Sequence, residues 1–193
     1  MKRYTLSSSV SELPGVGATR KKQLEKLGVS TLKDLVYLFP RAYENRGDVK
    51  ELKEADSNIT SSFILTVASE VRTNMLRRGL TISKFRAFDE SGSCNVVFFN
   101  SQYMKDVFHI GSVFRFYGKI ELNKKTYTLT NPKFEPVIDG IPLPDLIPVY
   151  PLTEGITSKF IDKITKTAID EVIDEIIDPL NEEIRIKNKL PVL

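Results

Sequence analysis

Apolar residues recur at every second position in several runs between residues 62 and 130, which constrains this part of the chain to a sheet. In the first run, Phe63, Leu65 and Val67 share one side, because the side chains of a strand alternate between its two faces. Further strands are predicted over 80–88, 94–99, 113–118 and 126–130. A helix that ends at Phe108 is predicted between the third and fourth strands.

This order of elements (three strands, a helix and two strands) is that of an OB-fold, a five-stranded Greek-key barrel. We therefore predict an α+β chain with three regions. A helical N-terminal part covers 1–60, the OB-fold covers 61–136, and a Pro-rich connector with an amphipathic helix covers 137–193. OB-folds commonly bind oligonucleotides on the face of strands 2 and 3, between the loops that join strands 1–2 and 4–5.

The third strand of this barrel places two neighbouring phenylalanines on opposite faces. Cys94, Val96 and Phe98 share one face, which is predicted to be buried, so Phe99 points to the other. Tyr103 lies one position before the apolar stripe of the following helix. Phe99 and Tyr103 are therefore candidates for two aromatic side chains outside the core. The alternative is that Phe99 packs under a loop and that Tyr103 is an ordinary half-exposed tyrosine.

The helix after this strand is predicted from its cap and its apolar spacing. Asn100 or Ser101 is suited to cap its first turn, because a short polar side chain can accept a hydrogen bond from a free backbone N–H. Met104 and Phe108 are spaced i, i+4, so both can reach the core from one face of a helix.

Charge is distributed unevenly along the chain. Residues 61–136 contain 11 Lys and Arg and 6 Asp and Glu, whereas residues 137–193 contain 6 and 11. Two predicted loops on one rim of the OB-fold are basic, one with Arg72, Arg77 and Arg78 and the other with Lys124 and Lys125. These loops are suited to the backbone of a nucleic acid. The alternative is that they are solvated tips whose lysines prevent edge-to-edge aggregation.

One cysteine, Cys94, and one histidine, His109, limit the chemistry available to the chain. A single cysteine allows no internal disulfide and fits a reducing, cytoplasmic location. A zinc site is not expected from so few ligands, and no metal site is predicted. No apolar stretch approaches the length of a membrane span, and the start lacks the apolar core of a signal peptide.

The N-terminal part contains a glycine turn that could bind phosphate. Gly15 and Gly17 precede a predicted helix that ends near Gly28 and carries Arg20 and Lys21 in its first turn. Free N–H groups at a helix start attract phosphate, and the two cations would assist them. The turn resembles a helix-hairpin-helix element, which binds the DNA backbone without sequence preference. The alternative is a purely structural turn between helices.

A second N-terminal helix and a C-terminal helix are predicted from their apolar stripes. Thr31 is suited to cap the former, which Pro40 ends and whose stripe consists of Leu32, Leu35, Val36 and Phe39. The C-terminal helix begins at Ser158, and its stripe must pack against another surface. Its acidic side is predicted to be a solvated face rather than a catalytic pair. A protein-interaction module that uses this acidic helix is therefore an alternative function.

Four short motifs occur in order along the chain: LPGVG at 13–17, FPRAYENR at 39–46, VFFN at 97–100 and VYPLTEG at 149–155. Together they resemble the N-terminal wedge region of the RecG family of ATP-dependent DNA helicases, which remodel stalled forks and branched DNA. The resemblance covers essentially the whole chain from Leu13. It departs from the family pattern at Ala42, where a second Arg is usual, and at Asn45, where an Asp is usual, so contacts from this loop are in doubt.

The resemblance implies a function and two site residues. It implies that the OB-fold is a wedge at a DNA junction, and that Phe99 and Tyr103 stack on bases of the parting strands. The implied partners are branched or forked DNA and the helicase motor domains of the same full-length polypeptide, in DNA recombination and repair. A generic OB-fold protein that binds single-stranded DNA is a further alternative.

No motor for nucleotide hydrolysis is predicted within this chain. The phosphate loop Gly-x-x-x-x-Gly-Lys-[Ser/Thr] is missing, because Gly118-Lys119 is followed by Ile120 and has no glycine five residues before it. We therefore expect no enzymatic activity from this chain alone. No cofactor is expected either, since ATP and Mg would belong to motor domains that the chain does not contain.

Overall fold

The computed structural model describes residues 4–123, 126–176 and 182–189, and the chain divides into two units. One unit combines the N-terminal stretch up to Tyr43 with the stretch from Pro148 onward, and the other is Glu44–Ile147. The three regions predicted at 1–60, 61–136 and 137–193 are therefore grouped differently. The reason is that apolar residues of the C-terminal helix share one core with those of the N-terminal helices.

Short helices form the N-terminal part of the first unit: a 3-10 turn at Val10–Glu12, α1 at Ala18–Glu25 and α2 at Leu32–Val36. Thr31 caps α2 as predicted, because its hydroxyl accepts a hydrogen bond from the N–H of Asp34 at 3.2 Å. The Asp34 carboxylate accepts one from the N–H of Thr31 in return. α2 ends at Val36, so Phe39 is exposed and the prediction that it belongs to the apolar stripe is wrong.

Most of the second unit is a closed barrel, and the short strand β1 (Ala42–Asn45) and a 3-10 turn (Leu52–Glu54) precede it. Its strands in chain order are β2 (Thr60–Val67), β3 (Arg72–Arg77), β4 (Leu80–Asp89), β5 (Gly92–Phe99), β6 (Val113–Asn123), β7 (Thr126–Thr130) and β8 (Lys133–Pro136). β2, β4, β5, β7 and β6 are neighbours in that order, and pairing of β2 with β6 closes the barrel. β5 and β7 run parallel. The predicted five-stranded OB-fold is confirmed.

Phe108 lies at the centre of the barrel core. Its ring centroid is 4.6 Å from that of Phe85, 4.7 Å from that of Phe114 and 4.8 Å from that of Phe134. Aromatic pairs at these separations stabilise a core beyond the area that they bury. The segment between β5 and β6 therefore fills the barrel with a side chain from its C-terminal end.

This connecting segment is a short 3-10 helix, Gln102–Asp106, and the prediction of a helix up to Phe108 is wrong. Asn100 has a φ of 53°, and the Ser101 side chain makes no capping hydrogen bond, so neither residue acts as the predicted cap. Met104 and Phe108 are nevertheless both buried, as predicted. The tighter turn still delivers both side chains to the core.

Two parts of the sheet differ from the sequence prediction. The basic stretch 72–79, predicted as a turn, forms β3 and a tight turn, and β3 pairs with β4 as a hairpin. Gly79 in this turn has a φ of 82°, which glycine adopts without steric cost. β6 continues beyond its predicted end at residue 118, and β8 pairs with its first half.

Charged side chains around Arg46 and Arg115 form an ion-pair cluster within the second unit. The buried guanidinium of Arg115 lies 3.1 Å from Glu135 and also donates to two backbone carbonyl oxygens, at 3.2 and 2.7 Å. Arg46 pairs with Glu44 at 2.7 Å and with Glu135 at 2.5 Å, and Lys133 donates to Glu44. Arg46 is thus engaged by carboxylates and buried.

β9 (Leu146–Val149) leads into the C-terminal part of the first unit, which contains α3 (Ser158–Val172), a 3-10 turn (Ile173–Glu175) and α4 (Glu182–Asn188). Thr157 caps α3 by accepting a hydrogen bond from the N–H of Phe160 at 3.2 Å. The buried side of α3 joins α1 and α2 in one core through Ile161, Ile164, Ala168 and Val172. None of the helices in the described ranges is long and apolar enough to cross a membrane.

Candidate nucleic-acid interface

Basic side chains line the outer face of the sheet formed by β3, β4 and β5. Along β4 the side chains of Phe85 and Ala87 are buried, so those of Lys84 and Arg86 point outward and are exposed. The strand register pairs Arg72 of β3 with Lys84, and directly paired residues share a face. Arg72, Lys84 and Arg86 therefore form a basic row on the barrel surface, which we call the outer stripe.

Sequence reasoning missed two members of this outer stripe, Lys84 and Arg86. The signal was present, because both alternate with core residues on the strand whose outer face OB-folds use for oligonucleotides. Arg86 is held in place at both ends. Its backbone N–H donates to the Ser69 hydroxyl at 2.9 Å, and its guanidinium donates to the Ser93 hydroxyl at 3.3 Å.

Phe98 and Phe99 lie on opposite faces of β5, as the alternation predicts. Phe98 is 4% exposed, and its ring stacks on Phe108 at 5.7 Å and meets the edge of Phe134 at 5.6 Å. Phe99 is 38% exposed and pairs across the sheet with Ile82 of β4. Phe99 therefore lies on the outer face, the same face as the outer stripe.

Two asparagines in left-handed backbone conformation hold the end of β5. The Asn131 side-chain oxygen accepts a hydrogen bond from the N–H of Phe99 at 2.9 Å, and the N–H of Asn131 donates to Val97 at 2.8 Å. Asn100 makes a reciprocal pair with Thr81 of β4, at 2.9 and 3.0 Å. Asparagine tolerates this conformation better than most residues. The backbone that carries Phe99 is thus tied to both of its neighbours.

Tyr103 lies on the other side of the β3–β4 hairpin, which we define as residues 72–89. Its side chain is 59% exposed and borders a shallow depression together with Thr73. Thr73 shares a hydrogen bond of 2.9 Å with the hydroxyl of the buried Ser83, which in turn donates to the carbonyl of Ser101 at 2.9 Å. Since Ser83 and Ile82 are adjacent on β4, Tyr103 and Phe99 flank opposite faces of the hairpin.

Of the two predicted basic loops, the structure describes the residues of the first and not the lysines of the second. Arg72, Arg77 and Arg78 are exposed, but they belong to the β3–β4 hairpin and not to an irregular loop. Arg77 pairs with Leu80, two positions before Ile82, and so shares the face of Phe99. Lys124 and Lys125 lie outside the described residues.

Arg20, one of the two cations predicted to assist phosphate binding, instead donates a hydrogen bond to the glycine turn before α1. The guanidinium of Arg20 donates to the carbonyl oxygen of Gly15 at 2.6 Å and lies 4.4 Å above the ring of Phe160. Gly17 occupies the N-cap position of α1 without a side-chain hydrogen bond. Lys21 is half-exposed and lies 4.0 Å from the carboxylate of Glu25. Phosphate binding at this turn stays a prediction, and Arg20 already has partners within the fold.

Neither a reactive thiol nor a metal-binding group is found among the described residues. Burial raises the pKa of the Cys94 thiol to about 12, which keeps it in its unreactive protonated form. No three Cys, His, Asp or Glu side chains within 4–123, 126–176 and 182–189 form a group that could hold a metal. The surface around the β3–β4 hairpin instead presents cations and flat aromatic rings, which suit a polyanion with stacked bases.

Comparison with known proteins identifies the family. The family model for the RecG wedge domain matches residues 11–172. The ATP-dependent DNA helicase RecG of Streptococcus pneumoniae is 32% identical over 161 residues, which cover 82% of this chain and 23% of that protein. RecG of Thermotoga maritima is 30% identical over 197 residues, which cover 96% of this chain and 24% of that protein.

A solved structure gives the same result in three dimensions. A RecG structure described as bound to a three-way DNA junction superimposes with a TM-score of 0.81 and 28% identity, over 96% of this chain and 26% of that one. The chain thus spans about a quarter of the length of the relatives that it matches. The matched part is the wedge domain and not the helicase motor. On these grounds the chain belongs to the RecG wedge-domain family.

Proposed function

We propose that this chain is the wedge region of a RecG-like helicase and holds apart the strands of forked or branched DNA in recombination and repair. The observation that carries the proposal is the pair of exposed aromatics, Phe99 and Tyr103, on opposite faces of a basic hairpin. The solved relative bound to a three-way DNA junction supports this type of partner. The motor domains of a full-length polypeptide would be the second partner.

In this mechanism each aromatic ring stacks on the end of one parting strand. Base–aromatic stacking is worth roughly 1–3 kcal/mol per base. This is comparable with the mean DNA stacking step of about 1.4 kcal/mol that the rings replace at the branch. The wedge can therefore stabilise separated strands passively. Continuous unwinding needs ATP hydrolysis, for which the chain carries no phosphate loop.

The cations of the hairpin and the outer stripe act on the DNA backbone in this proposal. Arg72, Arg77 and Arg78 contribute attraction to phosphates without reading sequence, as do Lys84 and Arg86. Lys124 and Lys125 belong to the same proposed set through their position in the sequence between β6 and β7. Phosphate contacts release counterions, so each contact steepens the fall of affinity with salt by about 0.9 units on a log–log scale.

The first test compares a forked duplex with a plain single-stranded oligonucleotide by fluorescence anisotropy. We expect the fork to bind more tightly, and equal affinities would favour a generic single-strand-binding protein. Phe99→Ala and Tyr103→Ala should each weaken fork binding by about 5- to 150-fold, the equivalent of roughly 1–3 kcal/mol. Phe39→Ala removes an aromatic of the other unit that is even more exposed, at 72%, and should leave affinity unchanged. If neither Phe99→Ala nor Tyr103→Ala changes the affinity of folded protein, the wedge mechanism is wrong.

A second test addresses the cations. Replacing Arg77 and Arg78 with Gln should weaken binding to all DNA sequences about equally and flatten the salt slope by about one unit per lost contact. A loss confined to one sequence would contradict a backbone role.

The alternative function, a protein-interaction module built on α3, has less support. The apolar stripe of α3 lies in the core of the first unit, so this stripe is not free to receive a partner helix. Steep salt dependence of fork binding would separate the DNA-binding proposal from this alternative.

A further inference from the structure

The turn of the β3–β4 hairpin carries two large apolar side chains that pack in neither core. Met75 is 71% exposed and the adjacent Leu76 is 61% exposed, and Arg77 and Arg78 follow directly. Single exposed apolar residues are ordinary on a protein surface. Two neighbours at a turn, bordered by cations, suit a partner that offers both an apolar surface and negative charge. We call residues 75–79 the tip.

Local backbone geometry turns Leu76 away from the regular ladder. Met75 pairs with Thr81 and Arg77 pairs with Leu80, so Leu76 is the extra residue of a β-bulge. Bulges redirect a side chain and interrupt pairing at that point. The bulge therefore takes Leu76 out of the regular alternation, next to Met75, which still pairs with Thr81.

The tip projects beyond both exposed aromatics. Phe99 lies beside Ile82 on one face, and Tyr103 lies near Thr73, which pairs with Ser83, on the other face. Ile82 and Ser83 are consecutive residues of β4, so the two aromatics lie at nearly the same level along the hairpin. A strand rises about 3.3 Å per residue, and Met75 and Leu76 follow Asn74, the partner of Ile82, so this pair lies roughly 3–10 Å past the level of both rings. The hairpin thus carries one exposed aromatic at each face and an apolar pair close to its turn.

We propose that Met75 and Leu76 are the edge that contacts and unstacks the last base pair at the branch point of DNA. This inference rests on the proposed function and extends it to residues that do not stack as rings. Aliphatic side chains inserted between base steps are a known means of unstacking a duplex. Arg77 and Arg78 complement the phosphates on either side of the branch, and the parted strands then reach Phe99 and Tyr103.

The experiment uses a fork with 2-aminopurine in its last base pair, because the fluorescence of this base rises when it unstacks. The whole chain is tested as wild type and as the Met75→Ser, Leu76→Ser double variant. Ile141→Ser serves as a matched control, since Ile141 is 60% exposed but lies outside the hairpin. Anisotropy measures affinity on the same fork, and circular dichroism establishes that each variant is folded.

We expect wild type and Ile141→Ser to raise the fluorescence equally. The double variant should bind with less than a tenfold loss, or about 1.4 kcal/mol, yet leave the fluorescence at the level of the free fork. An unchanged fluorescence rise in the double variant would overturn the inference while leaving the proposed function intact. A wild type that does not bind the fork would overturn the proposed function itself. The tip would be assigned to a lipid surface instead if wild type bound phosphatidylserine vesicles, the double variant did not, and both raised the fluorescence of the fork equally.

Discussion

Phe98 and Phe99 are neighbours in the chain, yet their replacement with Ala should have opposite effects on stability. Phe98 is buried in the barrel between Phe108 and Phe134, with centroid distances of 5.7 and 5.6 Å. Removing a buried phenylalanine costs about 3–5 kcal/mol. At about 4–8 °C per kcal/mol for a domain of this size, Phe98→Ala should lower the melting temperature of the second unit by at least roughly 12 °C.

Phe99→Ala should leave the barrel almost as stable as before. Its ring is partly exposed, and its main loss is the cross-strand contact with Ile82, a type of pair worth about 0.2–1 kcal/mol. The expected fall in melting temperature is therefore below roughly 8 °C. The backbone hydrogen bond from Phe99 to Asn131 does not depend on the side chain and remains.

Circular dichroism is the suitable assay, because the chain contains no tryptophan for fluorescence. Thermal melts of wild type, Phe98→Ala and Phe99→Ala are compared under identical conditions. Phe98→Leu provides a milder change at the buried site if the Ala variant does not fold. A large loss of stability in Phe99→Ala together with a small one in Phe98→Ala would refute the strand register, and with it the assignment of Phe99 to the binding face.

Three further outcomes follow from the structure. Cys94, whose pKa burial raises to about 12, should not react with Ellman's reagent at pH 8 until urea unfolds the protein, and rapid reaction of the native protein would contradict its burial. For Glu44, burial alone would raise the pKa, but hydrogen bonds from Lys133 and Arg46 outweigh it and lower the pKa below its ordinary 4.5. The stability that Glu44 gains from Lys133 and Arg46 is therefore present above pH 4.5 and is lost as pH falls through the lowered pKa. Glu44→Gln should thus flatten the decline of the urea midpoint at acid pH. DNA-stimulated ATP hydrolysis should be absent, and turnover that scales with purified protein would contradict this expectation.

Alternation along strands was enough to predict the barrel and the orientation of Phe98 and Phe99. A buried face imposes a period of two on the sequence, and a shift by one residue would exchange the two rings. The cap of α2 was equally readable, because Thr31 and Asp34 satisfy each other's backbone over three residues. These features are local, so neighbouring residues suffice to specify them.

Features without a local apolar signal were missed or misread. β3 is exposed on both faces, so its basic sequence resembled a turn although it pairs along most of its length with β4. The segment after Phe99 satisfied helical spacing at Met104 and Phe108 but forms only a 3-10 turn, because Asn100 leaves the strand in a left-handed conformation. The opposite placement of Phe99 and Tyr103 also depends on this hairpin, which lies between them in space and not in sequence.

The division of the first unit into two distant stretches of chain has a consequence for synthesis on the ribosome. The core that holds Leu24, Leu32 and Leu35 also needs Ile161 and Ile164, and all of 44–147 is translated between them. At about 5–20 residues per second, the N-terminal helices wait roughly 6–25 s for their partner helix. The barrel can form from a continuous stretch during that interval. A nascent chain therefore displays the leucines of its first helices until α3 emerges, and these are the residues that a chaperone would meet first.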